Sequence, residues 1–70
     1  MDVLKITLAA ARVNAGLTQE DVSKALGVTK QSVVNWEKGS SEPKISQGYA
    51  LSRLYNIPID NLIFLETKSN

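Results

Sequence analysis

Thr18-Gln19-Glu20-Asp21-Val22-Ser23-Lys24-Ala25-Leu26-Gly27-Val28-Thr29-Lys30-Gln31-Ser32-Val33-Val34-Asn35-Trp36-Glu37-Lys38-Gly39 is the stretch that decides how this chain folds. Thr18 with Asp21 three residues on is a variant of the capping box, with Asp in place of the usual Glu. Val22, Ala25 and Leu26 then recur at helical spacing, and Gly27 ends the run because glycine accepts a left-handed backbone. Only Val28 separates that glycine from Thr29, a second capping residue. Val33 and Trp36 give the next helix its inward face, and Gly39 stops it. Two short helices are therefore predicted to meet at a tight turn.

Outward from this pair the signals stay helical. Leu4, Leu8 and Ala11, with Ile6, Ala9, Ala10 and Val13, form a helix-period pattern that stops at Ala15-Gly16. Ser40 to Lys44, which includes Glu42 and Pro43, reads as a surface loop. Ser46 is a candidate cap for a helix through Tyr49, Ala50, Leu51, Leu54 and Tyr55, closed by Asn56 before Pro58 blocks continuation. Ile59, Leu62 and Ile63, introduced by Pro58 and Asp60, suggest a last short helix, and Glu66 to Asn70 reads as a frayed tail. The predicted class is all-α. The predicted organisation is one domain over residues 1–70, with its core at about 4–64 and a tail at 65–70.

Composition narrows the chemistry. The 70 residues contain no Cys and no His, which removes the usual metal ligands and the commonest general base. No paired-carboxylate or phosphate-loop motif is present either, so the reading is of a protein that is not an enzyme and needs no cofactor or metal. Without disulfides, apolar packing must supply the stability. Neither a signal peptide nor an apolar run of roughly 20 residues is seen, so the expectation is a soluble, cytoplasmic protein with no membrane partner. Eight Lys and Arg against seven Asp and Glu leave a net charge of +1, too little to advertise nucleic-acid binding by itself.

Distribution says more than balance. On a wheel of about 100° per residue, Val33, Trp36 and Thr29 cluster on one side of the third helix, and Lys30, Gln31, Val34, Asn35 and Lys38 on the other. Gln and Asn pair bidentately with adenine N6 and N7, Lys donates to guanine O6 and N7, and a Val can touch a thymine methyl. On spacing alone such a face serves solubility as well as groove reading. Trp36 shares the apolar arc with Val33, so it reads as core rather than as a stacking platform. Two helices with Gly27 at the bend match the logic of a helix-turn-helix, in which the first crosses the DNA backbone and the second enters the major groove.

Gly16-Leu17-Thr18-Gln19-Glu20-Asp21-Val22, Leu26-Gly27-Val28-Thr29 and Val33-Val34-Asn35-Trp36-Glu37-Lys38-Gly39 closely resemble the phage repressor and Cro type of helix-turn-helix, the XRE family. The likeness continues through Pro43, Tyr49 to Tyr55 and Asn56-Ile57-Pro58-Ile59-Asp60-Asn61-Leu62, from about Leu4 to Phe64. It implies a compact five-helix, lambda-repressor-like fold and a sequence-specific regulator that binds double-stranded DNA. By that resemblance Gln19 anchors on a DNA phosphate, and Lys30, Gln31, Val34 and Asn35 approach base edges. Thr29 and Ser32 stand at the margin, within reach of the backbone. Lys38, Ser40, Ser41 and Lys44 match the segment that follows the phosphates. Arg12 and Glu37 match a salt bridge that ties the recognition helix to the first helix.

The chain departs from many relatives in carrying Val22 and Ser23 where leucine and alanine are common, so looser packing is expected there. Its slight positive balance implies modest affinity from counterion release, which a homodimer on a palindromic operator would raise. Ile59, Leu62, Ile63, Phe64 and Leu65 form an apolar cluster expected to supply that interface. The alternative is an antitoxin-like or coactivator-like interaction module that uses the same fold to hold another protein.

Overall fold

The computed structural model describes residues 5–65. Leu4 and the expected tail from Glu66 onward lie outside the described residues. The order is β1 (Ile6–Thr7), α1 (Leu8–Asn14), α2 (Gln19–Leu26), α3 (Lys30–Lys38), α4 (Ile45–Tyr55), a 3-10 turn (Ile59–Asn61) and β2 (Leu62–Ile63). The molecule is thus mostly helical, with four α-helices and a small sheet among the described residues.

That order corrects the five-helix expectation at both ends. Helix one begins at Leu8, because the Thr7 hydroxyl accepts from the Ala10 amide at 3.1 Å and the backbone of Thr7 is extended. Ile6 and Thr7 instead pair in parallel with Leu62 and Ile63. The expected fifth helix is a single 3-10 turn, and Leu62 and Ile63, assigned to it from their apolar spacing, belong to β2. Parallel strands need a long crossover. Here all four helices lie within it.

The middle elements start and stop through local chemistry. The Thr18 hydroxyl accepts from the Asp21 amide at 3.0 Å, and the Asp21 carboxylate accepts from the Thr18 amide at 2.9 Å. The bond from the Thr18 amide, with a smaller contribution from the Thr18 hydroxyl, holds the Asp21 carboxyl below its ordinary value. Gly27 closes α2 with φ +71°, and the Val28 amide bonds back to the Ser23 carbonyl at 3.0 Å, the six-to-one bond of a Schellman motif. Thr29 caps α3 by accepting from the Ser32 amide at 3.1 Å. For α4 the cap falls at Lys44 rather than Ser46, and the Gln47 carboxamide accepts from the Lys44 amide at 2.7 Å. Asn56 ends α4 in the left-handed region, with φ +57°.

Leu8, Ala11, Val22, Val33, Trp36, Leu51, Tyr55 and Leu62 form the buried core, with Ile6, Leu17, Leu26, Val28, Leu54, Ile57 and Phe64 packed against it. Val22 is fully buried in this core. Ser23 is buried too, its hydroxyl donating to the Glu20 carbonyl at 2.7 Å. Val13 and Ala25, assigned inward by spacing, lie exposed, as does Tyr49. In α2 the inward place beside Val22 belongs to Ser23.

Candidate nucleic-acid interface

The site is built by one helix with two unlike faces. Val33 and Trp36, 1% and 5% exposed, fasten α3 into the core. Lys30, Gln31 and Lys38 stand exposed on the opposite side, with Val34 and Asn35 half-buried at its edges. Thr29 is an exposed cap residue rather than a member of the inward face. Among the described residues none of Lys30, Lys38 and Lys44 enters a salt bridge, so their charge is open to a polyanion.

Arg12 and Glu37 hold this helix at a fixed angle to α1. Arg12 Nε donates to Glu37 Oε2 at 2.7 Å, and its Nη2 reaches Oε1 at 3.4 Å. Its Nη1 donates to the Leu17 carbonyl at 3.0 Å, so the fork also ties down the approach to α2. The Glu37 carboxylate raises the guanidinium pKa further above its ordinary value, against an opposing contribution from burial. A third partner completes the cluster: Gln19 Nε2 donates to Glu37 Oε1 at 3.0 Å. Arg12, Thr18, Gln19, Glu20 and Lys30 line a polar cleft of about 420 Å³ beside α3. The start of α2 and the end of α3 are therefore clamped by one carboxylate.

The remaining expected contacts divide between open and engaged groups. Gln31 Nε2 donates to Asn35 Oδ1 at 3.0 Å, one helical turn on. The Thr29 and Ser32 hydroxyls lie 3.0 Å apart while Thr29 caps the helix, so both are committed locally. Ser40 and Ser41 turn back onto α3, their amides donating to the Asn35 carbonyl at 2.9 and 3.4 Å. That brings the loop beside the polar face. Lys44 is exposed at the head of α4, where it is the cap residue.

Sequence reasoning missed the Gln19–Glu37 and Gln31–Asn35 bonds. The second follows the i,i+4 rule for Gln and Asn on one helix and was available from spacing. The first joins two helices through side chains 18 positions apart, and no local pattern announces it.

Two capped helices about a left-handed glycine, the second buried on one face and polar on the other, define a helix-turn-helix protein. The helix-turn-helix family matches residues 8–62, and the chain belongs to that family, in its repressor and Cro-like XRE branch. An uncharacterized HTH-type transcriptional regulator of Archaeoglobus fulgidus is 33% identical over 55 residues, 79% of each chain. Another from Methanocaldococcus jannaschii is 30% identical over 63 residues, 90% of this chain and 96% of that protein. The cryptic phage CTXphi transcriptional repressor RstR of Vibrio cholerae is 36% identical over 52 residues, 74% of this chain and 47% of the repressor. No solved structure matches the chain at a comparable level of significance.

Proposed function

We propose that this DNA-binding transcription regulator acts as a repressor-like homodimer in the cytoplasm, with the 70 residues working as one helix-turn-helix domain. In this reading α3 lies in the major groove and Lys30, Gln31, Val34 and Asn35 meet base edges. Gln19, Lys38, Ser40, Ser41 and Lys44 meet phosphates. The observation that carries it is the division of α3: Val33 and Trp36 are locked in the core, so the polar ridge opposite them is rigidly presented. Rigid presentation is what base reading requires, because phosphate contacts position a protein while base contacts specify its site. Gln19 supports the anchor role in a particular way. One N–H of its amide is spent on Glu37, which leaves the second N–H to donate to a phosphate oxygen.

The dimer is carried by a revised surface. Leu62 is 5% exposed and belongs to the monomer core, and Phe64 packs against that core. Ile59 and Phe64 instead line a groove of about 480 Å³ with Ile45 and Tyr49, which are 80% and 50% exposed. A twofold contact there would bury the largest exposed apolar side chains of α4.

Selection from random duplex DNA tests both parts. Recovery of a palindrome with half-sites about one helical turn apart is expected. On that site Gln31→Ala should cost about 1 to 3 kcal/mol, and much less on random DNA. Equal losses on both would sink the base-reading assignment. An absence of enrichment would favour an interaction module on the same fold.

A further inference from the structure

Gln19 and Glu37 meet on terms that settle which way the carboxamide points. Arg12 donates to both Glu37 oxygens, from Nε at 2.7 Å and from Nη2 at 3.4 Å, so Glu37 faces Gln19 as a charge-paired carboxylate. A carboxylate only accepts. The atom that Gln19 turns towards it at 3.0 Å is therefore Nε2 and not Oε1. Whichever of the two hydrogens goes to Glu37, the other stays on the same nitrogen as a donor. Gln19 is half-buried and lines the polar cleft together with Lys30. Glu20, the acid on that cleft, lies 3.9 Å from Lys24 Nζ. The Glu37 side chain is only 7% exposed, so its route to a ligand in the cleft runs through Gln19.

We propose that Glu37 is a positioning residue for DNA binding, which holds the Gln19 carboxamide in its donating orientation before DNA arrives. This rests on the phosphate role proposed for Gln19. A glutamine left free must be ordered when it binds, and immobilising such a side chain costs affinity, about two- to tenfold. Here that ordering is made in the free chain. The carboxylate that does it is fixed by Arg12 from α1 and belongs to the last turn of α3. The backbone contact at the head of α2 is thereby held in register with the polar face of α3.

The test is titration of a random-sequence duplex, on which a backbone contact counts in full, with each variant first checked for the parent's helical circular dichroism. Gln19→Ala should weaken binding by the parent about tenfold. In the background Arg12→Met with Glu37→Leu the same change should cost about threefold, because the ordering is already lost. Lys38→Ala, at a second phosphate position, should cost the same in both backgrounds. Equal Gln19→Ala losses in the two backgrounds would overturn the positioning role. Losses that shrink together for Gln19 and Lys38 would overturn it as well, by placing the effect in the docking of α3 as a whole. A parent indifferent to Gln19→Ala, or one that binds no duplex, would overturn the phosphate anchor itself and the positioning role with it. A measurement without DNA stands beside these: nitrogen relaxation of the Gln19 side-chain amide should match the α2 backbone in the parent and show fast averaging in the double variant. Fast averaging in the parent would overturn the proposal.

Discussion

The Glu37 carboxylate, 7% exposed at its side chain, serves Arg12 and Gln19 together. Removing the cation strands it: Arg12→Met is expected to cost about 3 kcal/mol, the lower part of the range for breaking a buried pair. Arg12→Met with Glu37→Leu should recover most of that loss, since replacing both partners by apolar groups removes the desolvation penalty as well. Urea midpoints of the single and double variants measure the difference, and equal losses would refute the stranded-charge account. Nearby, burial pushes the Tyr55 phenol up to about 12, and Glu37 adds to the shift. The folded chain then holds a proton that the unfolded chain releases near pH 10. Stability is whole below that point and declines as pH rises through about 12, by about 3 kcal/mol in all. Tyr55→Phe should flatten this alkaline decline in denaturant titrations, and an unchanged slope would assign it to other groups.

Elements announce themselves where a local bond decides them. Thr18 with Asp21, Gly27, Thr29, Gly39 and Asn56 were all legible because each signal acts within a few residues of itself. The polar face of α3 was legible for a related reason: with Val33 and Trp36 inward, a helix has only one other side to offer. Ile6 and Thr7 were not, because two residues carry no period and their partners lie at Leu62 and Ile63. The burial of Ser23 was not legible, because it goes with a bond to the Glu20 carbonyl rather than with its hydropathy. Two glycines separate these scales. Gly27 sits at φ +71°, so Gly27→Ala should lower stability by about 1 to 2 kcal/mol. Gly48 lies inside α4, where an added methyl would meet Ile59 Cδ1 at 3.5 Å and the Phe64 ring at 3.7 Å. These are ordinary contacts, so Gly48→Ala should raise stability by about 0.5 to 1 kcal/mol. Thermal midpoints of the two variants should move in opposite directions. A fall in both would mean that α4 and the Phe64 segment are too close to admit a methyl.

At the scale of the whole molecule, the turn between α2 and α3 is made by neighbours in sequence, while the Arg12 clamp joins residues 25 positions apart. The pairing of β1 with β2 is different in kind, since it joins residues 6 and 7 to residues 62 and 63. Joining the two ends of the described chain, it is the step of highest contact order. Closing so long a loop costs entropy that grows with its length, and two residue pairs repay little of it until the helical core stands beneath them. The clasp therefore closes last during folding and opens first in the native state. Amide exchange at Thr7 and Ile63 should accordingly run ahead of exchange at Val33 and Trp36. Equal protection would mean that clasp and core open as one unit. The expected order gives the regulator a kinetic partition, in which its ends can part and reclose while the recognition helix keeps its place.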